Sequence, residues 1–343
     1  MAMVRIQADA MQRVFTTILI QHGFSPADAE ESAAIFVQNS VDGVYSHGVN
    51  RFPRVISYLE KGLIIPGAVP DVEGSFGAME RWNGKLGMGN LVAKKAMARA
   101  IELAGKLGIG CVAVRNTNHW MRGGTYGWQA ADAGCIGICW TNTFPNMPAW
   151  GGTDPRIGNN PFVLAIPRSD GRHIVEDGAM SQYAYGKLEL TALQGKKLPF
   201  PGGYDKDGNL TDDPAAIEES QRILPMGYWK GSAMSIALDA MAAMLSGGNT
   251  VSDVGKQGTD EYGISQVFIA IKPTCFSTTQ GNDEVIDRIV SDLKLSHLVD
   301  PRHAVRYPGE QVLAVRKDNL AHGIPVEDAV WSVIMGLGGV QNA

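Results

Sequence analysis

Basic excess, long hydrophobic runs and paired cysteines are all missing from this chain of 343 residues. Thirty Lys and Arg stand against 35 Asp and Glu, for a net charge of −5. No positive face is therefore expected to draw nucleic acid or an anionic membrane surface. No apolar stretch approaches the roughly 18 residues that a membrane span requires. The first residues, MAMVRIQADAMQR, lack the apolar core and cleavage site of a signal peptide. Cysteine is scarce: Cys111, Cys135, Cys139 and Cys275 lie in apolar, strand-like surroundings without CxxC spacing. They are expected to be buried free thiols in a reducing compartment, with the cytoplasm as the expected location. The histidines show no HxH, HxxxH or HExxH spacing, so no metal centre is expected. The absence of a GxSxG turn argues against a serine hydrolase.

A phosphate-binding glycine loop is also incomplete. Gly87-Met88-Gly89-Asn90-Leu91-Val92 supplies two of the three small positions and puts Val92 at the third. The residues before it, Arg81 to Leu86, are too polar for the buried strand that should precede such a loop. A plain turn into a helix explains this stretch better than a Rossmann fingerprint does.

What the chain does have is 45% apolar residues and 41 glycines, enough for a substantial core with many tight turns. Met11, Val14, Phe15, Ile18 and Leu19 repeat at helical spacing up to Gly23. Ser25-Pro26-Ala27-Asp28 then combines a cap, a first-turn proline and an acidic residue, which predicts a helix to about Val41. A third helix is predicted from about Val49 to Lys61. From about Ala78 the pattern becomes mixed, with helices over 90–105, 126–133, 181–194 and 232–245. Strands are predicted over 111–115, 135–140, 162–166, 173–177 and 266–271. The Gly-, Pro- and Asp-rich segment 198–230 reads as a long ordered excursion. After about 283 the chain turns helical, with helices near 311–321 and 326–337. The expected class is α/β: a mixed sheet flanked by helices, with the N- and C-terminal helices packing as one layer. Residues 1–75 with 283–343 would form a helical domain beside an α/β domain over 76–282.

Several polar stretches interrupt this pattern. In Ser46-His47-Gly48-Val49-Asn50-Arg51, a helix starting at Ser46 would set His47 and Arg51 one turn apart on one face, with Ser46 as the cap. An imidazole suits acid–base work near neutral pH, and a guanidinium can clamp a carboxylate through two parallel hydrogen bonds. The pair suits a substrate with a carboxylate beside a carbonyl. It equally suits a capping turn with surface charges, and spacing alone does not choose. Asn116 to Gly124, with Asn118 and His119, forms a polar strand-to-helix loop where α/β proteins place ligands. Arg156 to Pro161 is a second polar turn. Asp177 ends a strand before small residues and a helix start, a place that could orient an imidazole or admit phosphates, or simply cap a helix. Trp229 and Lys230 precede a Met- and Ala-rich helix and would suit a stacked ring and a phosphate. Pro308-Gly309-Glu310 marks another helix start.

Taken in order, SHGVNRFPR (46–54), NTNHWMRGGTYGWQAADAG (116–134), RIGNNP (156–161), the aspartate before GAMS (177–181), ILPMGYWKGSAMS (223–235) and DEYGISQVFIAI (260–271) resemble the malate/L-lactate dehydrogenase-type oxidoreductases, which lack a Rossmann fold. The resemblance covers nearly the whole chain. It implies an NAD(P)-dependent enzyme, usually a homodimer, that transfers hydride to the keto group of an α-keto or diketo sugar acid. It implies His47 as the acid/base, Asp177 as its partner, and Arg51 and His119 beside the substrate; Ser46, Asn118 and Asn159 join them there. Residues 115–235 would carry most of the cofactor site. The implied contacts are Val175, Glu176, Asp177, Gly178, Ala179, Met180 and Ser181, then Trp229 and Lys230, then Gly309, Glu310 and Gln311. NADH is the expected cofactor, with NADPH possible. Alternatives within the same frame are a malate/L-lactate-type 2-hydroxy acid dehydrogenase, a cyclic imino acid reductase, or an inactive nucleotide- or sugar-acid-binding sensor. Three departures from the family pattern surround the site: Asn159 replaces a threonine, Glu310-Gln311 replaces His-Glu, and Glu176-Asp177-Gly178-Ala179 replaces a more apolar run.

Overall fold

The computed structural model describes residues 3–339, apart from the side chains of Leu190 and Leu193. The first two helices, Ala8–Gln21 and Pro26–Val41, pack against each other as their apolar spacing predicts. Ser25 caps the second, its Oγ accepting the Asp28 N–H at 3.2 Å. Phe15 stacks on Phe52 with ring centroids 3.9 Å apart, and Phe36 meets both edge-on.

The C-terminal part of the chain completes this layer. Strand Ile324–Glu327 pairs antiparallel with Met3–Ile6, and Ile324, Val326 and Ile334 enter the same core. Neither strand carries a long apolar alternation, which is why periodicity reads this region as helical only. The helix Thr279–Lys294 buries little besides Ile286 and is tied to the 168–169 turn through Arg168–Asp287 and Ser169–Asp283. The helix Glu310–His322 reaches both layers: Asn319 donates to the carbonyls of Ser40 and Val41, and Val312 and Leu313 pack on the sheet's core.

The sheet has seven strands in the order Asp71–Phe76, Met79–Asn83, Ile109–Thr117, Ile264–Ile271, Ile136–Thr141, Phe162–Ile166 and Ile174–Gly178. Only Met79–Asn83 with Ile109–Thr117 is a parallel pair; the other neighbours are antiparallel. A doubly wound nucleotide fold needs a run of parallel strands, so the incomplete glycine fingerprint and the topology agree. The first two strands of the sheet are outside the sequence expectation, because one is polar and fully exposed and the other buries only alternate residues.

The antiparallel register determines where the site lies. Thr117 pairs with Ile264, Thr141 with Gln266, Trp140 with Phe162, and Phe162 with Gly178. The loops after 117, after 141, before 162, after 178 and before 264 therefore leave the sheet at one end. These are the loops that contain the polar motifs.

Candidate active site

The SHGVNR corner is not the start of one helix. Residues Tyr45–His47 and Val49–Arg51 form two 3-10 turns, broken at Gly48, and the α-helix begins only at Phe52. Gly48 lies against the end of the second helix: a Cβ there would be 2.2 Å from Ser40 Oγ and 2.9 Å from the Phe36 carbonyl oxygen. The same Ser40 hydroxyl accepts the Val49 N–H at 2.9 Å. Asn39 donates to the His47 carbonyl at 3.0 Å and accepts from the Thr125 hydroxyl at 2.6 Å. Ser40 and Asn39 thus build the corner, and only their burial at the apolar end of the helix, among Ile35, Phe36, Val37 and Val41, could have signalled them.

Ser46 does not act as a cap. Its Oγ lies 3.0 Å from Nδ1 of His47. The His47 and His119 rings lie 5.7 Å apart at 21°, both half-buried. His119 Nδ1 accepts the Met121 N–H at 3.0 Å, which places its ring proton on Nε2 when neutral. Burial first, then the positive charge of Arg51, lowers the pKa of both imidazoles. His47 is held at about 4, with Arg122 as a further cause. Among the described residues the guanidinium of Arg51 has no hydrogen-bonding partner; its pKa is lowered by burial and by Arg54, against the opposing pull of Glu261 and Tyr58.

Asp177 is not hydrogen-bonded to His47, contrary to the expectation from sequence. Its Oδ2 accepts the Gly124 N–H at 2.8 Å and lies 3.9 Å from Nε of Arg122. The reason is local. Gly123 and Gly124 bring the start of the 124–132 helix so close to the carboxylate that a Cβ on Gly124 would be 2.8 Å from it. Burial raises the Asp177 pKa, while Arg122 and the Gly124 N–H oppose the rise. Arg122 forms a buried ion pair with Asp42, which also takes Arg316 at 2.7 Å. Arg122 thus faces the aspartate, and its charge is also felt by the histidine expected to pair with it.

Two further expected substrate residues are tied into the fold, although the buried Oδ1 of Asn118 has no partner among the described residues. Asn118 Nδ2 donates to the carbonyls of Leu63, Leu86 and Gly87, so this side chain clips the loop to the rest of the fold. Asn159 exchanges two hydrogen bonds with Asn146, each 2.8 Å. Glu261 was not expected at all. It is 4% exposed, its Oε2 accepts the Phe144 N–H at 3.1 Å, and its Oε1 is buried without a partner. Burial raises its pKa, and Arg51, the Phe144 N–H and Arg54 hold it down. Non-glycine residues in the left-handed region, Asn116 and Met121, flank this end of the sheet, where strained backbone is commonly kept.

The three stretches expected to hold a cofactor are joined by main-chain hydrogen bonds. Met226 N–H donates to Met180 O at 2.8 Å, Gln182 N–H to Leu224 O at 2.7 Å, and Val175 N–H to Pro308 O at 3.0 Å. The helix Trp229–Ser246 starts here with Trp229 and Lys230 exposed, the ammonium 5.8 Å from the indole centroid. Gly231 and Gly309 permit the close approach: a Cβ on Gly231 would be 2.4 Å from Met226 O, and one on Gly309 3.2 Å from Val175 N. An exposed cation, an exposed indole and two backbone-lined turns fit an anionic, ring-bearing dinucleotide. Glu310 is held by Lys294, with both oxygens at 2.7 Å.

Residues 6–335 match the sequence profile of the malate/L-lactate dehydrogenase family. The chain is 47% identical to the 2,3-diketo-L-gulonate reductase of Citrobacter koseri, over 97% of this chain and the whole of that protein. The malate dehydrogenase of Entamoeba histolytica superposes with a TM-score of 0.93 at 25% identity, covering 98% of each chain. The sulfolactate dehydrogenase of Methanocaldococcus jannaschii superposes at 0.89 with 28% identity, covering 98% of this chain and 97% of that one.

Proposed function

The chain belongs to the malate/L-lactate dehydrogenase family of NAD(P)-dependent oxidoreductases, and on that premise we propose that it reduces the 2-keto group of 2,3-diketo-L-gulonate to 3-dehydro-L-gulonate. The observation that carries this reading is the His47–His119 pair together with Arg51, whose guanidinium has no hydrogen-bonding partner among the described residues, at the end of the sheet where the family motifs meet. The 47% identity to a 2,3-diketo-L-gulonate reductase supports the choice of substrate.

Bound along Val175 to Ser181, Trp229, Lys230 and Gly309 to Gln311, the nicotinamide cofactor would supply the hydride. Arg51 holds the substrate carboxylate. His47, protonated, gives its proton to the oxygen that becomes the hydroxyl. His119 Nε2–H donates a hydrogen bond to the same region, its tautomer fixed by the Met121 N–H. Asp177 orders the loop through Gly124 and acts on His47 at one remove, through Arg122. NADH is the proposed cofactor. Glu176 puts an exposed carboxylate in the cofactor stretches, where ribose hydroxyls are accepted and a 2′-phosphate is repelled, whereas Glu310 is already paired with Lys294.

A homodimer is part of the proposal. Met234, Ile236, Met241 and Met244 leave an apolar face of the Trp229–Ser246 helix exposed, Met244 by 76%. Among the described residues no helix is long and apolar enough to cross a membrane. The test is an oxidation screen with NADH and NADPH against 2,3-diketogulonate, pyruvate, oxaloacetate, hydroxypyruvate and a cyclic imino acid. The highest kcat/KM should fall on NADH with 2,3-diketogulonate; a higher value for any of the others overturns the substrate reading.

A further inference from the structure

We propose that Gln266 is a positioning residue for His119: its buried amide holds the peptide bond that enters the histidine and so keeps the imidazole aimed at the substrate. This role rests on the placement of His119 beside the substrate proposed above, and deepens it. Gln266 lies on Ile264–Ile271, the middle strand of the seven, between Ile109–Thr117 and Ile136–Thr141. The run from Val267 to Ile271 that follows it is wholly apolar, and Gln266 itself is 0% exposed. Its Nε2 donates to the carbonyl oxygen of Asn118 at 3.1 Å. That oxygen belongs to the peptide unit joining Asn118 to His119. A carbonyl only accepts, so the NH2 end of the amide must face it.

Stability alone would not select this arrangement. With Nε2 so committed, Gln266 Oε1 is buried without a partner among the described residues, as are Thr117 Oγ1 and Asn118 Oδ1 at the root of the same loop. Buried acceptors left unpaired are costly. The loop is also strained. Asn116 and Met121, three residues before His119 and two after it, have φ of 53° and 70°. Such costs persist where the position of a group matters more than stability. Here they surround one peptide, whose carbonyl takes the Gln266 amide and also abuts Gly89, where a Cβ would come within 2.4 Å. Beyond it, His119 Nδ1 accepts the Met121 N–H, which sets the ring relative to the loop. Gln266 ties the peptide itself to the sheet. Without that bond the histidine is free to shift, and a displacement of about 1 Å near the reacting atoms can cost about 100-fold in rate.

The experiment compares single-turnover reduction of 2,3-diketogulonate by NADH in wild type, Q266M, H119A and the double variant. If wild type prefers another keto acid of the screen, that one is used, so the substrate reading and this one fail separately. Q266M keeps the length of the side chain and removes the donor. It should slow reduction roughly 10- to 100-fold, with the Kd for NADH little changed. In the H119A background the same substitution should change the rate by less than about 3-fold, because a residue that acts through His119 then has nothing left to position. V267A, equally buried on the opposite face of the strand, controls for a loosened sheet and should react like wild type. No loss in Q266M, a loss undiminished by H119A, or an equal loss in V267A overturns the inference and leaves His119 in the site. H119A at the wild-type rate overturns both. Should Q266M not fold, Q266E carries the test. Its carboxyl donates to Asn118 O when protonated and cannot when ionised, so its rate relative to wild type should fall as pH rises. A constant ratio overturns the inference.

Discussion

His47 stands half-buried between two cations with no carboxylate bonded to it, and that setting predicts its behaviour. Held at about 4 by burial, Arg51 and Arg122, the imidazole is mostly neutral in the free enzyme near pH 7. Reduction needs the protonated ring, so kcat/KM should fall as pH rises through a pKa well below 6.5; oxidation needs the neutral ring and should rise through the same value. A carboxylate on Arg51 cancels the larger of the two cationic causes. The pKa seen in kcat should therefore exceed that in kcat/KM, and coincident profiles would contradict this account. His47→Ala should slow single-turnover reduction by at least about 100-fold, with NADH affinity little changed. Asp177→Asn tests the altered role of that residue. Because its carboxylate meets Gly124 and Arg122 instead of the imidazole, the kcat/KM profile should move by less than about one pH unit. A larger fall would restore the direct pairing that the sequence suggests.

The elements were legible where one residue pattern decides them. Helical spacing with a Ser25 cap, or a continuous apolar strand such as Ile264–Ile271, is a local signal that tertiary packing only confirms. The corner at 46–51 was legible in its chemistry and not in its geometry, since Gly48 takes its place from contact with Phe36 and Ser40 in another helix. The Asp177 contact, the commitment of Asn118 to three carbonyls, and Glu261 were hidden for the same reason: each depends on a partner in a distant loop. Gly89 shows how such contacts can be tested. It opens the helix Gly89–Leu107, and a Cβ there would be 2.3 Å from the His119 carbonyl oxygen and 2.4 Å from that of Asn118. The second glycine of the half-matched loop thus lets this helix abut the His119 loop. Gly89→Ala should cost about 1–3 kcal/mol of stability, the range for overpacking, measured by urea unfolding. It should also displace His119 and so depress kcat more than Gly105→Ala, a helix position whose added methyl meets nothing within 4 Å.

At the scale of the molecule, the N-terminal helices, the sheet's loops and the penultimate helix Glu310–His322 meet at one carboxylate. Asp42 ends the second helix with its side chain 2% exposed, and it takes Arg122 from the site loop and Arg316 from the C-terminal helix. Arg316 also lies over the Trp128 ring, 4.8 Å from its centroid, so the same cation grips the α/β part. Three stretches far apart in sequence are thus held by one charge, next to His47. Such a network does not simply add stability, because desolvation of the ions offsets much of their attraction. Its removal is nevertheless costly, since a lost partner leaves a buried charge uncompensated. Asp42→Asn strands the guanidinium of Arg122, 5% exposed, and should lower stability by about 3–5 kcal/mol. If the two layers fold as one unit through this junction, urea unfolding followed by tryptophan fluorescence and by circular dichroism should still give coincident transitions, both shifted. Separate transitions in the variant would show that Asp42 couples two independently stable layers. An unshifted midpoint would show that the ion triad contributes nothing, and the site loop would then owe its position to its other bonds, among them those of Asn118, Asn39 and Asp177.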